Sequence, residues 1–220
     1  MCGRFTLTTP GDVLAEAFGL DEPPAVTARY NIAPTQPILA IRPRGSPPGR
    51  EAVLFRWGLV PREEVGRPLI NARAETAARL PSFREAFRAR RCLVAADGFY
   101  EWKPLGRRRQ PYYIRLSDGR PFAFAALWEG VAPDASAGSC TLLTTEPNAL
   151  LREVHDRMPV ILGPADYARW LDPALTTLAA LRSLLQPYPA EQLTAYPVDA
   201  WVNDAAHDDP SCTRPLRLLV

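Results

Sequence analysis

Between Cys92 and Thr145 the chain is a succession of short segments cut by turn residues: CLVAA, then DG, FYEW, the basic GRRRQ, PYYIRL, SDG, PFAFAALWEG and SCTLLTT. Segments of this length, rich in β-branched and aromatic residues and punctuated by Asp-Gly, read as strands joined by hairpin turns. Strands joined this way run antiparallel. The stretch therefore points to a mostly antiparallel sheet that curls on itself.

The flanking segments carry a different period. Thr9 before Pro10 reads as a cap and first helical position for GDVLAEAFGL, which Gly19 ends. PILAIRP and AVLFRWGLV read as strands on either side of RGSPPGR, and the stretches RPRGSPPGRE and VAPDASAGS as loops. INARAETAARL and SFREAFRARR lengthen to helical spacing, the second capped by Ser82 with Phe83 and Phe87 on one face. NALLREV is expected to be a helix ending near His155, RMPVIL a strand, PADYARWL and TTLAALRSLL helices, and LTAYPV a final strand. Strands and helices do not alternate as regular βαβ units, so the fold class is α+β rather than a doubly wound sheet.

A chain of 220 residues, 47% of them hydrophobic, can bury a substantial core, and a single domain over residues 1–220 is expected. Nothing at the start reads as a secretory signal, and no apolar run approaches the ~18 residues of a membrane span. A soluble, cytoplasmic protein with no membrane partner is expected. Cys2, Cys92, Cys140 and Cys212 show no C-x-x-C spacing and only two histidines accompany them, which suggests neither a disulfide framework nor a zinc site. The expectation is reduced thiols with no metal and no cofactor. A net charge of +2 falls short of the basic balance that by itself indicates nucleic-acid binding. Its make-up is more telling, because Lys103 is the single lysine and 25 of the 26 basic residues are arginines. Arginine forks suit phosphates and stack on bases, although a compositional bias that also gives 24 prolines explains the same excess.

Position 2 offers unusual chemistry. Initiator methionines are commonly removed before a small residue, so the mature chain is expected to begin at Cys2 with an α-amine and a thiol on neighbouring carbons. Reference pKa values of about 7.7 to 8.0 and about 8.5 leave both nucleophilic forms present near neutral pH. Such an aminothiol can act as a thiol nucleophile with the amine as its base, or condense with an aldehyde and close to a thiazolidine. Position alone also fits a residue that is merely the second one translated. Three other stretches put polar groups where an element ends: Asn71, Arg73 and Glu75 in LINARAET, Glu101 in DGFYEWK, and His155 in EVHDRMPVIL. Singly, each has a structural explanation: Asn71 as a helix cap, Glu101 as an arginine's partner, and His155 as a helix-end histidine.

Taken together, MCGRF, YNIAPTQ, RWGLVP, INARAET, RCLVAADGFYEW, QPYYI and HDRMPVIL, in this order from Cys2 to about Asn203, resemble the SOS-response-associated peptidase (SRAP) family. The resemblance implies a barrel-like β core with flanking helices and a processed N-terminus lying in a groove for single-stranded DNA. In that family the ring-open aldehyde of an abasic site condenses with the first residue's amine, and its thiol closes a thiazolidine that shields the lesion. Carried onto matching positions, Cys2 is the nucleophile and Asn71 orients the sugar. Glu101 relays protons at the amine and imine, while His155 assists ring opening as general acid. Arg4 and Arg73 match phosphate contacts, and Gly3, Asn31, Pro34 and Thr144 match residues lining the groove. The family name also implies a peptidase activity, self-removal of the residues before the cysteine, with only Met1 to remove here. The partner implied is single-stranded DNA containing abasic sites, with nucleoid association when bound, and a monomer is expected.

One departure concerns the segment after WGLVP, where family members carry a tryptophan that packs against bases and this chain has Glu63. A carboxylate cannot stack and repels phosphate, at a cost of roughly 1 to 3 kcal/mol per lost stack. The run Arg107, Arg108 and Arg109 reads as a solvated loop. Two other functions fit parts of the pattern: an N-terminal-nucleophile thiol peptidase using Cys2 and His155, and a non-catalytic single-stranded nucleic-acid-binding module.

Overall fold

In the computed structural model, which describes residues 2–45, 48–60, 67–130 and 138–216, the middle of the chain forms strands as expected, but the Asp97-Gly98 and Asp118-Gly119 turns, read as hairpins, instead pass from one sheet to another. Strand β1 (Arg4–Leu7), helix α1 (Gly11–Phe18) and β2 (Arg29–Ile32) lead into the hairpin of β3 (Pro37–Arg44) and β4 (Gly49–Trp57). Then come β5 (Asn71–Arg73), α2 (Ala74–Ala77) and α3 (Pro81–Ala89). The middle run is β6 (Arg91–Ala96), β7 (Gly98–Leu105), β8 (Arg108–Leu116), β9 (Phe122–Gly130) and β10 (Gly138–Thr145), of which β7 pairs with β8 and β9 with β10. After it follow α4 (Ala149–Arg152), β11 (Met158–Pro159), β12 (Ile161–Leu162), α5 (Tyr167–Leu171), α6 (Leu178–Ser183) and β13 (Leu193–Pro197).

One sheet has the order β13-β8-β7-β1-β2 and is antiparallel throughout. The other runs β10-β4-β3-β6-β9 and closes into a barrel-like ring because β9 also pairs with β10. β5 and β11 attach to β10, and β12 attaches to β9. The antiparallel expectation holds for most pairs, but β10 runs parallel to both β4 and β5. That direction depends on a long crossover, which local turn signals do not encode. Phe5 of β1 reaches from the first sheet into the second, edge-on to Trp57 at 5.2 Å and Phe124 at 5.7 Å. No helix among the described residues is long and apolar enough to cross a membrane.

Several local expectations change. Pro10, not Thr9, is the cap residue of α1, and the Thr9 amide and hydroxyl instead donate to Asp97 Oδ2 at 2.9 and 3.0 Å. Leu80 precedes α3 with Pro81 at its start, so Ser82 lies within the first turn, while Phe83 and Phe87 are buried as their spacing implies. INARAET begins as a strand and only then makes one helical turn. NALLREV is helical for one turn, capped by Asn148 Oδ1 accepting from the Leu151 amide at 2.9 Å. RMPVIL divides in two, because the Val160 amide donates to Leu143 O at 2.8 Å while its carbonyl accepts from Ala125 at 2.9 Å, wedging the segment between β10 and β9. Most of RPRGSPPGRE is strand, and part of VAPDASAGS lies outside the described residues.

A polar anchor holds β1 against β7. Asp97 accepts from the Thr6 hydroxyl (2.5 Å), the Thr8 amide and hydroxyl (2.5 and 2.8 Å) and the same two groups of Thr9. Next to it, a Cβ on Gly98 would fall 2.1 Å from the Tyr113 hydroxyl, so only glycine allows the tyrosine to reach Thr6 at 2.9 Å. Asp97→Ala strands the buried Thr6 donor and several part-buried ones at once and is expected to cost about 3 kcal/mol, read as a lower urea midpoint at unchanged slope.

Candidate active site

Because β1 is hydrogen-bonded to β2 on one side and β7 on the other, Cys2 just before it is fixed at the end of a central strand and fully buried. β5 lies parallel along β10, with Asn71 opposite Leu142, and this brings the Asn71 amide to donate to the Cys2 carbonyl at 2.8 Å. The Asn71 Oδ1 atom is buried and has no hydrogen-bond partner among the described residues, an open acceptor in the site. On β7, alternation puts Glu101 on the face of Phe99, toward the core, where it is 1% exposed. His155 follows α4, its amide returning to Leu151 O at 2.8 Å, and its Nε2 stands 3.8 Å from Glu101 Oε2. The four residues assigned to chemistry are thus brought together.

Burial sets the electrostatics. It pushes Glu101 up to about 7 and lowers His155 below the ordinary histidine value. Both shifts favour the neutral forms, so near pH 7 His155 rests mainly neutral while Glu101 is poised between its protonated and ionised forms. Burial and the neighbouring Glu101 charge raise the Cys2 thiol well above its usual range. The sequence expectation of a useful thiolate fraction is therefore corrected: the resting sulfur is a thiol, its hydrogen directed at Arg4 O, 3.8 Å away.

The residues assigned to DNA fall into two groups. Arg73 is exposed and its guanidinium makes no hydrogen bond or ion pair among the described residues, and Glu75 pairs instead with Arg157. Gly3 and Pro34 are half-buried, Pro34 at a turn where Thr35 takes the left-handed conformation (φ 71°) that a β-branched residue rarely adopts. Arg4, in contrast, shares the face of Tyr100 and donates to Asn31 Oδ1 (3.0 Å), Val202 O (2.8 Å) and Asn203 O (3.2 Å). Asn31 is fully buried, its amide nitrogen donating to the carbonyls of Val202, Asp204 and His207. Thr144 is also fully buried, its carbonyl accepting from Arg157 at 2.7 Å. Arg108 and Arg109 belong to strand β8 rather than to a loop, with Arg107 in the turn before it, and all three are exposed. Glu63 lies outside the described residues.

Sequence reasoning missed Arg157 and Asp97, whose partners lie 82 and about 90 positions away along the chain. The signal for Arg157 was present in HDRMP, next to a residue already singled out. All four cysteines are free and buried, and no group of His, Cys, Asp or Glu among the described residues is arranged to hold a metal ion.

A barrel-like ring joined to a second sheet, with a buried cysteine starting a central strand beside Asn, Glu and His, defines the class. The chain belongs to the SOS response associated peptidase (SRAP) family, whose model matches residues 1–205. Among its relatives, it is 42% identical over 220 residues to the abasic site processing protein YoqW of Bacillus subtilis, covering 96% of this chain and 97% of the relative. It is 30% identical to the abasic site processing protein YedK of Escherichia coli, covering 98% and 100%. A crystal structure of a Bacteroides thetaiotaomicron protein shares the fold at a TM-score of 0.85 and 24% identity, covering 98% and 100%.

The Glu101 shift gives a sign for pH dependence. A carboxyl held up to about 7 binds its proton in the folded state where the unfolded chain has lost it, so its contribution to stability falls as pH rises from about 4.5 through 7. Glu101→Gln is expected to be more stable than the parent at pH 8, by on the order of 3 kcal/mol, and equal to it at pH 4. Denaturant unfolding of both proteins across that range measures the difference.

Proposed function

We propose that this protein recognises abasic sites in single-stranded DNA and traps their ring-open aldehyde covalently on Cys2. The observation that carries this reading is the convergence on one buried N-terminal residue: Asn71 at the Cys2 carbonyl, with the Glu101 and His155 pair beside it. The names of the relatives, abasic site processing proteins, support the lesion as substrate.

In the proposed reaction the Cys2 α-amine, free once Met1 is removed, adds to the aldehyde carbon. The carbinolamine loses water to give an imine. Sulfur then adds to the imine carbon while its proton passes to nitrogen, so aldehyde and aminothiol yield a thiazolidine and one water. Because the thiol rests protonated, the amine acts first and the ring closes only when a base takes the sulfur proton, a role that suits Glu101 poised near neutrality. A neutral His155 donates to the departing sugar or carbinolamine oxygen. The gap of 3.8 Å between its Nε2 and Glu101 Oε2 is too long for a hydrogen bond, yet one oxygen at about 2.8 Å from each spans it. Ring closure profits from the high effective concentration of a thiol attached to the same residue.

For the strand, the unspent guanidinium of Arg73 serves as the phosphate contact, with Gly3 and Pro34 forming the groove wall. Arg4, Asn31 and Thr144 act from beneath by fixing that wall. Self-removal of Met1 accounts for the peptidase name, and an ordinary aminopeptidase accomplishes the same cleavage.

The test is incubation with an abasic oligonucleotide followed by denaturing electrophoresis without borohydride. The adduct is expected for the parent and for Lys103→Ala, and absent for Cys2→Ala. Arg73→Ala should slow its formation and flatten the salt dependence by about one unit. An adduct that needs borohydride, or that disappears with Lys103→Ala, assigns the chemistry to a lysine imine and overturns the proposal.

A further inference from the structure

Resting on that reading, we propose that the tip of the β7–β8 hairpin is a further DNA contact, in which Arg107, Arg108 and Arg109 carry the single-stranded backbone on the side of the lesion away from Arg73. The three arginines are exposed, and none of their guanidiniums makes a hydrogen bond or ion pair among the described residues. Three consecutive like charges repel one another, in a chain whose net charge is only +2. What answers them lies outside the chain, and a polyanion is the fitting partner.

The arginine run that the sequence offers as a solvated loop is the end of a well-defined ribbon. Leu105 pairs with Arg108 across the two-residue turn of Gly106 and Arg107, and Gly106 takes the left-handed conformation (φ 59°) such a turn requires. The ladder continues from there to Glu101, opposite Tyr112. Directly opposed residues share a face and neighbours alternate, so Arg108, Leu105 and Glu101 lie on one face of the ribbon and Arg109 on the other. Four residues at about 3.3 Å each place Arg108 about 13 Å beyond Glu101, the length of about four stacked nucleotides. Arg109 is close enough to the site for its charge to act on His155, whose ring is held below the ordinary histidine value by burial first, with Arg109 among the charges that add to it. Arg73 stands on the other sheet, two residues past Asn71 on β5. The lesion therefore lies between two sets of unspent cations, one on each sheet. The strand that carries the lesion is the one that must pass Glu101, and Arg108 lies on that same face, so the contact is to this strand itself and needs no complement.

The test reads binding of intact single-stranded oligonucleotides across a salt series, and crosslinking of abasic oligonucleotides lengthened stepwise on one side of the lesion at a time. The informative variant is Arg107→Gln with Arg108→Gln, which leaves Arg109 and its charge near His155 in place. Arg107→Lys with Arg108→Lys is the rescue, and thermal unfolding is the folding control. The glutamine pair should bind the intact strand about tenfold more weakly at low salt, with a salt slope shallower by about 1.4 for two lost contacts on a single strand. It should also lose the gain in crosslinking rate that the parent shows as one side is extended to about four nucleotides, and keep the gain from the other side. The lysine pair should restore the slope. If the slope and both length profiles match the parent, the hairpin is only solvated and the inference falls. It falls equally if the loss appears only when a complementary strand is annealed to the flank, which assigns the hairpin to duplex DNA. Because binding is read on DNA without a lesion, a protein that forms no adduct defeats the proposed function while the salt slope still decides the role of the hairpin.

Discussion

Phe5, seated edge-on between Trp57 and Phe124, couples the five-stranded sheet to the ring, and the rest of the site follows from where it stands. Fully burying a phenylalanine contributes about 1.5 to 3 kcal/mol, and here it also fixes the depth of β1. The strand cannot slide by one residue without moving Phe5 to the opposite face, where Arg4 and Thr6 now point. Asp97 pins the C-terminal end of the same strand through Thr6, Thr8 and Thr9, and Arg4 pins its other end to the Val202 and Asn203 carbonyls. An N-terminal residue would ordinarily fray. Cys2 is held instead because the strand that follows it is hydrogen-bonded on both sides and anchored at both ends.

That rigidity carries an electrostatic consequence. The same burial that immobilises Cys2 suppresses its thiolate, raises Glu101 and lowers His155. Glu101 is left poised between its two protonation states near neutral pH, while the Cys2 thiol and the His155 ring rest mainly neutral. The cost is a buried carboxyl that folding would prefer to lose, which places stability and chemistry in opposition at Glu101.

The strands β6 to β10 were legible because their signals are local, runs of six to nine apolar and aromatic residues cut by turn residues, but the pairing was not: Asp97-Gly98 and Asp118-Gly119 carry the chain from one sheet to the other, and only β7 with β8 and β9 with β10 pair in sequence. That Cys2, Asn71, Glu101 and His155 lie together was legible through the resemblance of whole motifs, which carries information about distant contacts that periodicity lacks. What remained hidden is non-local. Asn71 read as helical because AETAARL dominates its window, yet pairing with β10 makes it a strand. Thr9 looked like a cap, but Asp97 outbids the helix for its hydroxyl. Asn31 and Thr144 matched groove positions in sequence, while the fold buries both beneath the surface that Arg4 and Arg157 help to shape.

The central claim is that both nucleophiles of one residue react. Proteolysis of the DNA adduct followed by mass spectrometry tests it directly, since the account predicts an N-terminal peptide starting at Cys2 that has gained the sugar fragment less one water. Its amine and its thiol should both resist labelling. A sugar on any other peptide, or a Cys2 peptide whose thiol still alkylates, would contradict the account.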